Sequence, residues 1–408
     1  MELVHGPATV RNTWLELPAG TGFGLANLPY GVFSTPGTPP RTGIAVGDDV
    51  LDLAAATGDD VHATGSLNAF LARGPAAWRE LRAQLTEWLT DDRYRARVEP
   101  HLLPRDGVTM HLPVEVADYV DFYSSRHHAE NLGRILRPGS PPLLPNWEHL
   151  PVGYHGRAGT VRVSGTPVVR PAGQRPGTPP TFGPTERLDV EAEIGFVVGT
   201  PSELGTPVPL GDLAEHVFGV CVVNDWSARD VQAWEYAPLG PFLGKSFLTS
   251  VSPWVVPLAA LEAARVPAPA RDVTLLPYLD DREHPWGLDL TLELRLNGQL
   301  VSCPPFADMY WTPAQQLAHL TANGAALRTG DLFASGTVSG PRHDQRGSLV
   351  ELSEGGTRPL TLADGTTRTF LEDGDEVTVS ATAPGTDGGR ISLGEVTGRV
   401  VAHPIREE

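Results

Sequence analysis

Two carboxylates, Glu191 and Glu193, lie in the run Leu188-Asp-Val-Glu-Ala-Glu-Ile-Gly-Phe-Val-Val198. The run alternates and is rich in β-branched residues, so it reads as a strand. Strand side chains repeat every two residues: both carboxylates leave one face, and Val190, Ala192, Ile194 and Phe196 leave the other. Like charges side by side on a strand repel. A hard cation between them removes the repulsion, because Ca²⁺ and Mg²⁺ take clustered carboxylate oxygens. A solvated strand face carries the same pattern, so the pair gains meaning only from its company.

Three further stretches supply that company. In Asp118-Tyr-Val-Asp-Phe-Tyr-Ser-Ser-Arg-His-His-Ala-Glu-Asn131, Ser124 or Ser125 can cap a helix running to about Leu136 and stopped by Pro138. Asp121 and Tyr123 then precede the helix, and His128 falls in its first turn. The positive end of the helix dipole favours a neutral imidazole that can accept a proton. His127 is its neighbour on a different face, and either could be a capping or core histidine. In Val222-Val-Asn-Asp-Trp-Ser-Ala-Arg-Asp-Val-Gln-Ala-Trp-Glu-Tyr236, an apolar strand ends at Asp225 and a helix opens at Ser227 or Trp226. Its residues Arg229, Gln232 and Tyr236 share one face, either as a binding surface or as a solvated stripe. Gly240-Pro-Phe-Leu-Gly-Lys-Ser-Phe-Leu-Thr249 carries the single Lys245 in apolar company, where its pKa is expected to fall. The segment Ala334–Pro341 places Thr337 at a strand end, and Glu351 sits on the strand expected after it. Four acids (Asp121, Glu191, Glu193, Asp225), one histidine and the cations Arg137, Arg229 and Lys245 suit metal-assisted attack on a small anionic carbonyl compound.

The elements that must hold these residues fall into two blocks. In the first, up to about residue 110, Gly43–Leu53 reads as two short strands around Gly47-Asp-Asp49. Ser66 caps a helix ending at Gly74, and Pro75 opens another with Trp78, Leu81, Leu85, Trp88 and Leu89 on one face. Leu103–Val108 reads as a linker. Beyond it many short strands are punctuated by proline and glycine without a βαβ rhythm, which predicts a mainly β sandwich or roll. Candidates are Val161–Val163, Val190–Val198, Val220–Val223, Leu290–Leu296, Leu332–Ala334, Val377–Ala381 and Ile391–Leu393. A capped helix spans Thr312 to Gly324, and Pro171–Pro184 is an arm.

Composition removes other classes. Thirty-one Lys+Arg against 49 Asp+Glu gives a net charge of −18, which argues against nucleic acid or an anionic membrane as partner. The two cysteines, Cys221 and Cys303, have no metal-ligand spacing. The first residues show no secretion signal and no run is long enough to span a membrane, so a cytoplasmic protein is expected. There is no Gly-x-Ser-x-Gly elbow, His-Glu-x-x-His helix, phosphate loop or dinucleotide fingerprint.

The chain resembles the fumarylacetoacetate hydrolase family. The resemblance runs from Asp118 to the C-terminus and rests on long strings. They are Asp121-Phe-Tyr-Ser-Ser-Arg126, Pro145-Asn-Trp147, His149-Leu-Pro-Val-Gly-Tyr-His-Gly-Arg-Ala158, Asn224–Asp230, Trp234-Glu-Tyr236, Pro238–Phe247, Val251–Pro257 and Leu371–Glu376. It implies a small N-terminal SH3-like barrel (1–110) and a larger catalytic β-roll or mixed β-sandwich (111–408), working as a homodimer. It implies Ca²⁺ or Mg²⁺ on Asp121, Glu191, Glu193 and Asp225, with a further Mg²⁺ role at Lys245 and Thr249. The base falls on His128 and its carboxylate partner on Glu351, with Lys245, Arg229 and Gln232 beside them. Substrate contacts fall on Tyr123, Arg137, Tyr154, Arg229, Gln232, Tyr236, Lys245 and Thr337. The implied reaction is hydrolysis of 4-fumarylacetoacetate, a diketo dicarboxylate, to fumarate and acetoacetate, which closes tyrosine and phenylalanine breakdown. Acylpyruvate hydrolases and 2-oxo-acid hydratases or decarboxylases share the metal acids but lack much of the surrounding string. A β module binding Ca²⁺ without catalysis would have no use for His128, Glu351 and Lys245 together. His127 stands where the family usually has Gln, putting a second imidazole beside the base. The loop 342–346 and the arm 174–184 also depart from the family.

Overall fold

The computed structural model describes residues 13–404; the first residues, on which the absence of a secretion signal was read, lie outside them. The fold is mainly β with some helices, as expected. One sheet carries most of the candidate residues. Its centre is the strand Ala192–Val198, paired antiparallel on one side with Val217–Asp225 and on the other with Leu332–Ala334. Tyr119–Phe122 runs parallel to Leu332–Ala334, and Gly153–His155 closes that edge. Thr249–Val251 pairs with the end of Val217–Asp225.

Register aligns the acids. Asp121 is opposite Ala334 on one side and Tyr154 on the other, Ala334 is opposite Gly195, Glu193 is opposite Val223, and Asp225 is opposite Thr249. A one-residue slip would turn every one of these carboxylates to the other face. Apolar packing fixes the choice: Ile194, Phe196, Val220 and Val222 lie in a core shared with Leu292, Leu294, Val377, Val379 and Leu393 of a second, five-stranded sheet. Within that second sheet, Glu376–Pro384 alternates buried and half-buried residues, the pattern of a strand with one face on the core. Val197, Phe218, Cys221 and Val223 point the other way, into a core built with the helix Pro75–Thr90. That helix starts at its proline and buries Trp78, Leu81, Leu85, Trp88 and Leu89, as the spacing predicts.

The sequence reading needs correction in three places. Leu103–Val108 is no free linker. Leu102–Pro104 pairs with Asp49–Asp52, a helical turn covers Arg105–Gly107, and Thr109–His111 pairs with Tyr30–Ser34. Tyr30–Ser34 also pairs with Trp254–Pro257, so the N-terminal strands run on into the main sheet. Ser66 precedes only a short helix, Asn68–Leu71, where its hydroxyl accepts from the Asn68 amide. The helix expected at Ser227 or Trp226 begins later, at Arg229. Ser227–Ala228 first pairs with Leu188–Asp189, which consumes the backbone groups that a helix would need. The arm at 171–184 is a hairpin, Ala172–Arg175 with Thr181–Pro184. No helix among the described residues is long and apolar enough to cross a membrane.

Candidate active site

The helix Arg126–Leu136 carries His128. Ser125 caps it by accepting from the His128 amide, which sets His128 in the first turn with its ring buried. His128 Nδ1 is 2.7 Å from Glu351 Oε2. A carboxylate can only accept, so Nδ1 carries a proton on that side and Nε2 is the nitrogen turned toward the site. Nε2 lies 3.6 Å from Glu191 Oε1. The Tyr123 ring stands edge-on to the imidazole at 5.3 Å. His127, one step round the helix, is half-buried.

Glu351 does not sit on a strand. Leu349–Leu352 is a single helical turn with all four residues buried. The Asp189 carboxylate accepts from the amides of Leu349 and Val350, which favours a helical start over a β ladder. Glu351 itself is fully buried and takes hydrogen bonds from Asn131, Ser339 and Ser348 besides His128. Burial works against its ionisation, yet His128, Asn131 and Ser348 outweigh it and hold its carboxyl below the usual range.

The acids separate into two kinds. Oxygens of Asp121, Glu193 and Asp225 come within 4.8 Å of one another, and all three residues are buried. Asp121 Oδ1 and Glu193 Oε2 have no hydrogen-bond partner among the described residues although both are shut off from solvent. Burial pushes the Asp121 carboxyl up to about 7, with Asp225 adding to it. Burial also holds Glu193 far above its ordinary value, with Asp121 and Asp225 adding to it. Orphaned, mutually repelling carboxylate oxygens with no nitrogen or sulfur donor among them fit a hard divalent cation. Glu191 is different: its oxygens are occupied by Arg229, Lys245 and Ser227. Burial opposes ionisation there too, but Arg229 and Lys245 keep it well below the usual range.

Lys245 reverses the expectation of a depressed pKa. The stretch around it is apolar in sequence, but its amine lies on Glu191 and, at 2.5 Å, on Asp225. Burial pulls its pKa down; the two carboxylates outweigh this and lift it above the ordinary lysine value. It is a fixed cation. Gly244 makes the approach possible, since a Cβ there would stand 2.8 Å from the Gln232 backbone. Arg229 donates to Asp189, Glu191 and Gln232, so the guanidinium and amide expected on one helical face do meet. Tyr236 ends that helix half exposed. Thr249 donates to Asp225 Oδ1, and Tyr154 to Asp121 Oδ2. Thr337 is buried in the segment after Leu332–Ala334. That segment passes so close to Phe122 that a Cβ on Gly336 would meet its carbonyl at 2.2 Å, and Gly336 has φ +76°. Arg137 closes the helix that carries His128 and donates to the Pro142 carbonyl, its Nε having no partner among the described residues.

The strings read from sequence contained two site residues whose roles no spacing reveals. Arg157 bridges Asp225 at 2.5 Å and Asp121 at 2.9 Å, and lies against the rings of Tyr119 and Tyr154. Its backbone is left-handed at φ +76°, a conformation that a non-glycine residue holds only under constraint. Asp189 was passed over as a flanking residue of the Glu191–Glu193 pair.

These shifts give a pH dependence. Without a bound ion, Asp121 and Glu193 take up protons in the folded protein at pH values where the unfolded chain has released them. Stability therefore rises as pH falls from about 8 toward about 5. Glu191, Asp225 and Glu351, held low, lose their contribution only at more acid pH. The melting temperature in chelator should climb by a few degrees over that range relative to the curve in saturating Ca²⁺ or Mg²⁺. Parallel curves would contradict the assignment of these oxygens to a cation.

The family description "Fumarylacetoacetate (FAA) hydrolase C-terminal" matches residues 118–401, and "Fumarylacetoacetase N-terminal" matches residues 26–113. The chain is 48% identical to the fumarylacetoacetase of Homo sapiens, over 95% of this chain and 98% of the human one. It is 43% identical to that of Arabidopsis thaliana, over 96% of this chain and 99% of the plant one. In fold it is similar to a fumarylacetoacetate hydrolase from Exiguobacterium antarcticum, with a TM-score of 0.56 at 19% identity over 92% of this chain and 99% of that one. Both family matches fall in order along the chain and the larger spans the whole acid cluster and its base, so the chain belongs to the fumarylacetoacetate hydrolase family.

Proposed function

We propose that the protein hydrolyses 4-fumarylacetoacetate to fumarate and acetoacetate, the last step of tyrosine and phenylalanine breakdown. The observation that carries this reading is the buried His128–Glu351 pair, whose Nε2 lies 3.6 Å from Glu191, the carboxylate that also holds Arg229 and Lys245. Asp121, Glu193 and Asp225, with Glu191 beside them, would hold Ca²⁺ or Mg²⁺. Such an ion supplies Lewis-acid polarisation of a carbonyl when bound. His128 Nε2 takes a proton from water as its oxygen attacks the carbonyl on the fumaroyl side. The tetrahedral alkoxide is met by Arg229, Gln232 and Lys245, and one preorganised donor is typically worth about 3–4 kcal/mol. An ammonium has three N–H groups; Glu191 and Asp225 use two, leaving one for a substrate oxygen. When the carbon–carbon bond breaks, the electron pair goes to the acetoacetate carbon. Lys245 stabilises it as an enolate, and the proton held by His128 completes the product. Arg137, Tyr123, Tyr154, Tyr236 and Thr337 would fix the rest of the diketo dicarboxylate.

The finer reading extends to the whole molecule. Residues 1–110 and 111–408 would form a small N-terminal unit and the catalytic unit. A homodimer is supported by exposed apolar side chains such as Phe182, Leu239 and Phe242, which a second copy could cover. A cytoplasmic location is supported by the two free cysteines.

The direct test is incubation with fumarylacetoacetate while following fumarate. The expected outcome is fumarate in the presence of Ca²⁺ or Mg²⁺ and little in chelator; no fumarate under either condition rejects the reading. Kinetics of variants test the roles. Glu351→Gln and Lys245→Met should lower kcat by roughly 100-fold or more with KM little changed, because the charges they serve develop in the transition state. Arg137→Leu should instead raise KM. His127→Ala should keep most of the activity that His128→Ala loses. A pure KM defect in Glu351→Gln and Lys245→Met would overturn their assignment.

A further inference from the structure

His128 and Arg229 are both tied to one residue, Asp189, which is not among the clustered acids Asp121, Glu193 and Asp225. Asp189 is fully buried. Its Oδ2 accepts from Arg229 Nε at 2.8 Å and from the Val350 amide at 3.2 Å. Its Oδ1 accepts from the Leu349 amide at 2.8 Å and from the Val190 amide at 2.9 Å. Leu349 and Val350 open the helical turn that carries Glu351, which in turn holds His128. Arg229 continues to Glu191 and Gln232. A single carboxylate thus ends one chain of contacts at the imidazole and another at the oxygen-binding guanidinium.

Neither chain has an equivalent substitute. The Glu351 turn is one turn long, too short to hold itself, and the side chain of the residue before it, Ser348, is committed to Glu351. Arg229 has other acceptors, but among the described residues only Asp189 accepts from Nε, and this fixes the plane in which the remaining N–H groups point. We propose that Asp189 is a positioning residue that keeps His128–Glu351 and Arg229 in register for attack on the carbonyl. The inference rests on the hydrolase reading for its consequence, and on geometry alone for the linkage.

Asp189→Asn tests it. The amide keeps shape but presents N–H groups to the Val350 amide or to Arg229, which also donate. With fumarylacetoacetate, kcat should fall on the order of 100-fold, the effect of a misplacement near 1 Å, while KM stays within about 3-fold. Ca²⁺ affinity by calorimetry should match the wild type, since the orphaned oxygens belong to other residues. Adding Glu351→Gln should cost far less than the product of the two separate losses, because both changes disturb one assembly. The ¹⁵N signals of the His128 imidazole should shift in Asp189→Asn, a readout that needs no turnover. If the Asn variant does not fold, Asp189→Ser, small enough for the site, is read by the same measures. A kcat within about 3-fold of wild type, multiplicative losses with Glu351→Gln, collapse of Ca²⁺ affinity, or unmoved imidazole signals would each overturn the proposal. A wild-type protein that makes no fumarate would instead reject the hydrolase reading, and the imidazole signals would still decide the linkage.

Discussion

The site depends on burying charge in an alternating order. Asp189, Arg229, Glu191, Lys245, Asp225, Arg157 and Asp121 form an unbroken chain of opposite charges through the end of the main sheet. Taking such groups out of water costs several kcal/mol each, recovered only where every one meets partners of opposite sign in good geometry. With Glu193 added, five carboxylates face three cations, an excess of two negative charges when all are ionised. That excess is the charge of one divalent ion, and it falls where Asp121 and Glu193 keep unpaired oxygens.

This constraint explains why the cations are fixed rather than titrating. Lys245 is held charged by Glu191 and Asp225, and Arg229 in large part by Glu191, carboxylates whose own ionisation the cations favour against burial. A preorganised cation needs no rearrangement when oxygen charge develops, which is where electrostatic catalysis gains most. Glu351 and His128 adjoin this chain of charges, His128 Nε2 lying 3.6 Å from Glu191, and the proposed mechanism assigns them the proton transfer. The candidate site thus sets fixed, paired charges beside one buried imidazole.

Much of this was legible in the sequence, and the failures share a cause. The cap at Ser125, the proline start at Pro75 and the capped helix from Thr312 are local signals, and those elements formed where the sequence places them. Of the alternating run around Glu191 and Glu193, the regular strand begins only at Ala192, Leu188–Asp189 pairs separately, and Glu191 makes an isolated bridge to Ser348. Glu351 was misplaced on a strand because Leu349-Val-Glu-Leu352 is apolar enough for either state; the deciding contact comes from Asp189, 160 residues earlier in the chain. Lys245 was read from its apolar neighbours, whereas its pKa is set by acids that only strand pairing brings near. Arg157 was hidden because a lone arginine in a loop has no periodicity. What sequence alone could not supply was long-range pairing.

The central claim is that water adds across the carbon–carbon bond of fumarylacetoacetate at the carbonyl facing His128. Turnover in H₂¹⁸O with Ca²⁺ or Mg²⁺ present tests it most directly, by mass spectrometry of the fumarate. The account predicts one ¹⁸O atom in the newly formed fumarate carboxyl, introduced at the rate of cleavage. Fumarate released without that label, or substrate consumed without fumarate, would contradict it.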